Sequence, residues 1–313
     1  MYYFIINPTS KSGLGKQIWS QLKTMLDRQE IDYEFYYSKY PFHATKLVRE
    51  ILSYEGEKHI VVIGGDGTLN EAANGFTSYD NASLSYIPSG SGNDFAKALH
   101  LVGSPLSLLS SILTSDSISH YDQGVCELPK AAQTDDPFVG NRRFVISAGI
   151  GFDASICYEA LHSRMKGWLN RIGLGKLTYV LIALKQIAAC PLVDATVTID
   201  GKELRTYRRI FFIAAMNQPF EGGGFRMVPS TNATDGKLSV AVFYNLSKPR
   251  ALMMLPLVLF GTHTNKKGFD SFTCKTVKIE TRQPLTIHTD GEYAGTSDTV
   301  SFSIHPESIR YLR

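Results

Sequence analysis

The sequence is most informative at residues 60–71, which read Ile60-Val61-Val62-Ile63-Gly64-Gly65-Asp66-Gly67-Thr68-Leu69-Asn70-Glu71. Four apolar residues predict a buried strand, and the glycines after them predict a tight turn into a helix. Thr68 and Glu71 have the spacing of a capping box, which predicts where that helix begins. Glycine lets a backbone approach a phosphate, and the free N–H groups of a helix start favour an anion. The segment therefore predicts a phosphate-binding loop at a strand end.

Two other loops have the same construction. Residues 87–94, Ile87-Pro88-Ser89-Gly90-Ser91-Gly92-Asn93-Asp94, again lead from a predicted strand into a predicted helix. Asn7-Pro8-Thr9-Ser10 follows the first predicted strand. One such loop is explained equally well by a tight turn that needs glycine. Three small-residue loops at successive strand ends favour a nucleotide site.

Two familiar nucleotide motifs do not fit this chain. A dinucleotide fingerprint needs a third glycine where Asn70 stands, and Asp66 within the turn would repel a pyrophosphate unless a metal intervened. A Walker A loop ends in Gly-Lys followed by Ser or Thr, whereas Gly15-Lys16 is followed by Gln17. The residues indicate a nucleotide site of another kind.

The chain is long enough for two domains, because its 313 residues exceed what one compact core normally covers. Residues 1–123 alternate strand and helix patterns, which predicts an α/β nucleotide-binding domain with a mostly parallel sheet. We expect residues 300–313 to rejoin this domain. Residues 124–299 are predicted to form a mainly antiparallel β domain that takes the substrate. The nucleotide site is expected in the interdomain cleft.

The second half of the chain is rich in strand patterns. They lie at Phe144–Ile150, Ala195–Ile199, Ile210–Met216, Leu238–Tyr244, Thr276–Thr281, Leu285–Thr289 and Val300–Ile304. A hairpin loop is predicted around Thr134–Pro137, and helical stretches are predicted at 152–189 and 248–260. The glycine-rich segment Phe220–Phe225 fits either a gate over a pocket or an ordinary wide turn. The most apolar parts of the helical stretches, 177–190 and 251–259, either line an acyl-chain pocket or pack the core.

The composition limits the classes of protein and partner. A net charge of +3 is too small to predict a nucleic-acid partner. The four cysteines are widely spaced, which predicts free thiols in a reducing compartment. We see no signal peptide and no apolar run of the roughly 20 residues that span a bilayer. These patterns predict a soluble, cytoplasmic protein with at most peripheral membrane contact, which could form a homodimer.

Taken together, GGDGTLNE, PSGSGNDFA, the N-terminal NPTS and a later DGE resemble the diacylglycerol kinase catalytic domain family. The resemblance is to its soluble bacterial diacylglycerol and lipid kinase branch, which is related more distantly to NAD kinases and phosphofructokinases. It covers nearly the whole chain and implies ATP and Mg²⁺ as cofactors. The ATP-binding positions it implies are Asn7, Pro8, Thr9, Ser10, Ser38, Gly65, Asp66, Gly67, Thr68, Asn70, Glu71 and Ser91.

The resemblance also implies two magnesium sites. The catalytic one would be a water-linked network of Asp66, Asp94 and Asp122, although Asp94 also fits a helix N-cap and Asp122 a turn residue. The structural one would use the Asp235 carboxylate with the main-chain carbonyls of Asn232 and Lys237. An Asp-Gly turn before the strand Leu238–Tyr244 is the alternative.

The resemblance implies a base and a reaction. Glu292 matches the family's general base, which would accept a proton from a lipid hydroxyl as the γ-phosphate of ATP is transferred. In the related sphingosine kinases the aspartate that matches Asp66 is favoured as the base. The predicted function is an ATP-dependent kinase of diacylglycerol or a related membrane lipid. The alternatives are a kinase of a soluble acceptor such as NAD and a nucleotide-binding regulator without catalysis.

Overall fold

The computed structural model describes residues 1–129, 141–162, 182 and 184–312. The predicted loop at Thr134–Pro137 and most of the predicted helical stretch between 163 and 183 lie outside these residues. Within the described residues, no helix is both long and apolar enough to cross a membrane.

The N-terminal half is an α/β domain. Its strands are β1 (Tyr2–Ile6), β2 (Tyr33–Tyr37), β3 (Lys58–Gly64) and β4 (Ala82–Pro88), and each neighbouring pair is parallel. Its helices are α1 (Leu14–Arg28), α2 (His43–Leu52), α3 (Asp66–Gly75), α4 (Asp94–Ala98) and α5 (Pro105–Thr114). A short 3-10 turn at Ser10–Gly13 precedes α1.

Residues Ile60–Ile63 of strand β3 are all apolar because helices cover both faces of the strand. Ile60 and Val62 pack into one core with residues of α2 and α3, whereas Val61 and Ile63 pack into another with residues of α1 and α5. Successive side chains of a strand point to opposite faces, so a four-residue apolar run is what a covered parallel strand requires. The carboxyl end of β3 therefore lies between the layer of α2 and α3 and the layer of α1 and α5.

The C-terminal half is built mainly of antiparallel strands. They are β5 (Ile118–Glu127), β6 (Asn141–Phe144), β7 (Ser147–Gly151), β8 (Val193–Ile199), β9 (Glu203–Met216), β10 (Phe220–Glu221), β11 (Phe225–Arg226), β12 (Leu238–Tyr244), β13 (Phe269–Cys274), β14 (Thr276–Thr289) and β15 (Glu292–Leu312). Helix α6 covers Phe152–His162 and helix α7 covers Lys248–Phe260. The predicted organisation, an N-terminal α/β domain followed by a β domain, is confirmed.

Strand β15 connects the two halves in one sheet, which has 13 strands among the described residues, because it lies between β14 and β4. It pairs with β14 and β5 in antiparallel fashion, and near its end Tyr311 pairs with Leu84 of β4 in parallel. The Ser85 hydroxyl donates to the carbonyl of Leu312 at 2.7 Å. The C-terminal residues thus touch the first domain, while the limits 1–123 and 124–299 stay a prediction.

The strand predicted at Phe144–Ile150 is in fact two strands, β6 and β7. The N–H groups of Val145 and Ile146 lie between them and donate to the Asp290 carboxylate, each at 2.8 Å. A backbone that turns its donors to a side chain leaves the strand ladder, which explains the interruption. Conversely, the two strands predicted at 276–281 and 285–289 form the single strand β14 with a register shift between Glu280 and Leu285.

Helix α5 and strand β13 were not predicted. The start of α5 nevertheless has a clear sequence signal: Ser104 is its N-cap, accepts a hydrogen bond from Ser107 N–H, and precedes Pro105 at the first helical position. Both Ser at the cap and Pro at the next position are typical of helix starts.

Candidate active site

The two glycine loops predicted to bind phosphate are in direct contact. Ser89 N–H donates to the carbonyl of Gly64 at 2.7 Å. A Cβ atom built on Gly90 would lie 2.5 Å from the Cα of Gly65. Backbones this close leave no space for a side chain, so glycine is required by packing here. The approach joins the carboxyl ends of β3 and β4 into one surface.

The loop after β1 meets both of them. Asn7 donates from Nδ2 to the Thr68 hydroxyl at 3.0 Å, and its Oδ1 accepts from the N–H and hydroxyl of Thr9. The hydroxyls of Ser10 and Ser89 lie 2.7 Å apart. The three loops singled out in the sequence are therefore adjacent in the fold. Asn7 organises the first of them, because its side chain holds both its own loop and the start of α3.

The remaining predicted ATP positions lie at the same sheet edge or next to it. Pro8 follows Asn7 and is half-buried. Ser38 follows β2, and its N–H donates to the carbonyl of Ile6 at the end of β1, at 2.8 Å. Ser91 is exposed at the tip of the loop after β4. Gly65, Asp66 and Gly67 form the turn into α3.

The capping box predicted for α3 is wrong. The helix begins at Asp66, with Gly65 as its N-cap and no side-chain cap. The Thr68 hydroxyl accepts from Asn7 instead, and the Glu71 carboxylate accepts from Ala44 N–H at 3.2 Å, in the first turn of α2. Burial raises the pKa of Glu71. Hydrogen-bond donors from other segments, Asn7 and Ala44, therefore take the place of the local capping pair. The side chain of Glu71 links α3 to α2.

Asp66 and Asp94 bring two carboxylates together at Gly92. A Cβ atom on Gly92 would lie 3.1 Å from Oδ2 of Asp66 and 3.8 Å from Oδ2 of Asp94. Asp66 accepts from the N–H of Asp94 at 3.0 Å and from that of Phe95 at 3.4 Å, so it caps α4. Burial, with the negative charge of Asp94, raises the pKa of Asp66 to about 7. Two acidic side chains that converge on one point are an arrangement in which a cation or a proton is held.

Asp94 is not the N-cap of α4, since that position is Asn93. It is 4% exposed, and its carboxylate accepts from Lys97 Nζ at 2.9 Å and from Gly223 N–H at 2.7 Å. Gly223 lies in the turn between β10 and β11, in the C-terminal domain. Asp94 therefore connects the loop after β4 to the glycine-rich segment Phe220–Phe225, which forms a hairpin.

Asp122 is fully buried and lies against a different loop. Its Oδ2 accepts from Gly236 N–H at 2.7 Å and its Oδ1 from Glu307 N–H at 2.9 Å. The backbone N–H of Asp122 donates to the carbonyl of Ala233 at 2.7 Å. These bonds attach the loop 232–237, predicted to hold the structural magnesium, to β5 and β15.

The loop 232–237 is organised by short local hydrogen bonds. Asn232 Oδ1 accepts from the N–H and hydroxyl of Thr234, and the exposed Asp235 accepts from Lys237 N–H at 3.0 Å. Such side-chain bonds two residues ahead are typical of Asx turns, so the alternative of an Asp-Gly turn describes the local conformation. The carboxylate of Asp235 faces solvent and is accessible to a cation.

Glu292, the predicted base, lies against the first glycine loop. A Cβ atom on Gly67 would lie 2.5 Å from Oε1 of Glu292 and 3.3 Å from its Cδ. Glu292 is the first residue of β15 and is half-buried. The turn from β14 to β15 thus carries this carboxylate across to Gly67 in the first turn of α3.

Asp290 fixes that turn. It is 7% exposed, and its carboxylate accepts from the N–H groups of Val145, Ile146 and Ser147 at 2.8, 2.8 and 2.9 Å. It also accepts from Asn70 Nδ2 at 2.8 Å. Four donors around one carboxylate hold the backbone at Glu292 in place.

Asn70, which the resemblance places among the ATP-binding positions, has its side chain in this network. It is fully buried, donates to Asp290 and to the carbonyl of Arg143, and accepts from an Arg142 guanidinium N–H at 3.1 Å. Its side chain therefore connects α3 to β6 and to the turn before Glu292.

A buried cluster next to this turn was missed by sequence reasoning. Nε2 of His288 lies 3.1 Å from Asp153 Oδ2 and 3.3 Å from Glu221 Oε1. Burial alone lowers the pKa of His288, but the two carboxylates outweigh it and raise that pKa to about 9. Burial also raises the pKa of Glu221 to about 7. The three residues come from β14, α6 and β10, so no local spacing could have revealed them.

The three ligand atoms lie within 4.8 Å of one another, close enough for a metal ion. However, Gly291 N–H donates to Nδ1 of His288 at 3.2 Å, so the neutral ring carries its proton on Nε2, and the same N–H opposes the second proton, on Nδ1, that the carboxylates favour. A neutral imidazole that binds a metal through Nε2 keeps its proton on Nδ1, which this N–H would oppose. The geometry favours a hydrogen-bonded imidazole–carboxylate cluster that supports the Asp290–Glu292 turn.

Sequence comparisons agree with this architecture. Residues 1–125 match the family described as "Diacylglycerol kinase catalytic domain", and residues 146–313 match the "YegS C-terminal NAD kinase beta sandwich-like domain". The chain therefore belongs to the two-domain diacylglycerol kinase and lipid kinase family.

Individual relatives cover nearly the whole chain. A Bacillus subtilis protein named "Putative lipid kinase YtlR" is 28% identical over 304 residues, which are 95% of this chain and 94% of that protein. The "Diacylglycerol kinase" of the same organism is 25% identical over 292 residues, 93% of this chain and 89% of that one. A solved structure described as "A putative diacylglycerol kinase from Bacillus anthracis str. Sterne" has a TM-score of 0.71 at 19% identity, covering 99% of this chain and 97% of that one. The structural likeness establishes the fold.

Proposed function

We propose that this protein transfers the γ-phosphate of ATP to a hydroxyl of diacylglycerol or a similar membrane lipid. The observation that carries the proposal is the position of Glu292, whose carboxylate lies against Gly67 at the start of α3. A proton acceptor, a phosphate-binding loop and the Asp66–Asp94 pair are thereby adjacent. The names of the relatives favour a lipid acceptor.

The nucleotide would bind where the loops after β1, β3 and β4 meet, in the cleft between the two domains. The first N–H groups of α3 have no intrahelical partner and would donate to phosphate oxygens. The close approach of Gly65 and Gly90 keeps side chains away from that surface. The Asn7, Thr9, Ser10 and Ser91 side chains at its rim offer polar contacts.

Magnesium fits the Asp66–Asp94 pair, because carboxylate oxygens are its preferred ligands and the two groups converge at Gly92. When bound there, it would neutralise charge on the phosphates during transfer. Asp122, whose oxygens accept from Gly236 and Glu307, would contribute by holding the neighbouring loop. A second, structural Mg²⁺ would be held by Asp235 with the carbonyls of Asn232 and Lys237.

Glu292 would accept the proton of the lipid hydroxyl while that oxygen attacks the γ-phosphorus and ADP leaves. Asp66 is the other candidate base, and its raised pKa suits proton transfer near neutral pH. Its two oxygens, however, accept from the first N–H groups of α4. We therefore assign the proton transfer to Glu292 and leave Asp66 to the metal and to α4.

The test is a kinase assay with radiolabelled ATP and mixed micelles of diacylglycerol, ceramide and sphingosine, with NAD as the soluble acceptor. We expect phosphorylation of a glycerolipid and none of NAD. Glu292→Gln should keep ATP affinity and lower kcat by roughly 10²–10⁴-fold, the usual contribution of a general base. Turnover of NAD but of no lipid would refute the lipid proposal. ATP binding without any turnover would favour a regulator.

A further inference from the structure

Helix α7 exposes a continuous apolar stripe, which we call the α7 stripe. Its members are Leu252, Met253, Pro256, Leu259 and Phe260. Met253 is 70% exposed and Phe260 is 71% exposed. At about 100° per residue, the stripe occupies an arc of roughly 120°. Single exposed apolar residues are ordinary, but a contiguous stripe marks an interaction surface.

The opposite face of α7 already fulfils the packing role of the helix. Ala251, Met254 and Val258 are buried in a core formed with strands β9 and β12. The core therefore does not account for the stripe. The apolar stretch 251–259 consequently serves two surfaces, one inside the domain and one facing out.

Exposed basic residues surround the stripe. Lys248 and Arg250 lie at the N-terminal end of α7, and Lys266 and Lys267 lie in the loop after it. Arg226 lies at the C-terminal end, where a Cβ atom on Gly261 would be 3.3 Å from its Cβ. Residues 245–269 contain no Asp or Glu. An apolar stripe with a basic border complements an anionic lipid surface.

The stripe is also connected to the candidate active site. Helix α7 packs against β11, which forms a hairpin with β10. The turn of that hairpin contains Gly223, whose N–H donates to Asp94 at 2.7 Å. The β10–β11 hairpin therefore connects the α7 stripe to the Asp66–Asp94 pair.

We propose that the α7 stripe docks this protein onto anionic lipid bilayers, with α7 in the plane of the interface. This inference rests on the proposed function and identifies the face that meets the lipid acceptor. The apolar side chains would enter the acyl boundary while the basic residues bind head groups.

A second copy of the chain fits the stripe less well. The five exposed side chains of the stripe offer roughly 400–500 Å², which is below the about 800 Å² per partner of a stable interface. A two-fold axis on the stripe would also bring its basic residues close to their copies. Charge therefore favours an anionic lipid surface over self-association.

Vesicle co-sedimentation of the full-length protein tests the proposal without depending on catalysis. We expect binding to vesicles of phosphatidylcholine mixed with phosphatidylglycerol and much weaker binding to phosphatidylcholine alone. The double variant Met253→Ser/Phe260→Ser should bind the mixed vesicles about tenfold more weakly or worse, since it removes two apolar anchors. Leu204→Ser on β9, where Leu204 is 67% exposed, is the matched control and should bind like wild type.

The charge component is tested by Lys266→Glu/Lys267→Glu, which should weaken binding to the mixed vesicles, as should added salt. Turnover of a dispersed short-chain diacylglycerol should be unchanged in the serine variant. No turnover of that acceptor by wild type would count against the proposed function alone. The docking proposal is overturned if wild type does not bind the mixed vesicles or if the serine variant binds as well as wild type. A change from dimer to monomer in ultracentrifugation, with vesicle binding unaltered, would instead assign the stripe to a second copy.

Discussion

The contact between Gly67 and Glu292 leads to a prediction that can be worked out from distances. In Gly67→Ala the new Cβ would lie 2.5 Å from Oε1 of Glu292, so the carboxylate must move by roughly 1 Å to reach an ordinary contact near 3.5 Å. The backbone itself accepts alanine, because Gly67 lies in the first turn of α3. Alanine there should even stabilise the helix by about 0.5–1 kcal/mol.

A displacement of about 1 Å at a reacting group can cost 10²-fold in rate, which corresponds to about 2.7 kcal/mol of barrier. We therefore expect kcat of Gly67→Ala to fall by about 100-fold. The melting temperature should be equal to or above that of wild type. ATP affinity, measured by calorimetry without a lipid acceptor, should change little.

The double variant Gly67→Ala/Glu292→Gln separates displacement of Glu292 from damage to the phosphate loop. If alanine acts only by moving Glu292, the double variant should be no slower than Glu292→Gln alone. Fully additive losses would show that Gly67 acts independently of Glu292. A loss of ATP affinity with unchanged kcat would refute the reasoning outright.

Three further predictions follow from buried groups near the site. Asp290→Asn turns an amide donor toward backbone N–H groups, so its free energy of unfolding in urea should fall by about 3 kcal/mol. An unchanged midpoint of the urea transition would contradict the described network. His288→Asn removes the ring nitrogen that the buried carboxylates of Asp153 and Glu221 both face, so the melting temperature at pH 7 should fall, and an unchanged melting temperature would contradict the described cluster. In metal-free protein the side-chain carboxyl carbon of Asp66 should titrate near pH 7 by NMR, and Asp94→Asn should move that titration to lower pH. A value near 4 in wild type would contradict the burial of Asp66 beside Asp94. Because this folded pKa exceeds that of an unfolded aspartate, about 3.9, the stability that Asp66 contributes is complete below that value and is lost as pH rises through 7.

Much of the nucleotide-binding half was predictable from local pattern. The βαβ alternation and the loops at the strand ends are properties of short segments, and the carboxyl ends of parallel strands meet at one edge. The contact of Ser10 with Ser89 follows from that rule. The prediction of a capping box was wrong because a local pattern does not show partners from elsewhere in the chain. Thr68 and Glu71 accept hydrogen bonds from Asn7 and Ala44, which lie outside the segment.

The sequence by itself predicted which short segments form the glycine loops at the strand ends, because glycine spacing and strand periodicity are local, whereas the resemblance to a known family linked the distant DGE motif to them. Only the tertiary structure decided which groups face each other across the two domains. Glu292 against Gly67, Asp94 under the β10–β11 hairpin and the buried His288 cluster each join segments far apart in the chain. Only the tertiary structure also shows that the outward face of α7 is exposed. A helix that is apolar on both faces has the same sequence pattern whether its outer face is covered or not. Burial is a property of the folded surface, and pattern alone cannot assign it.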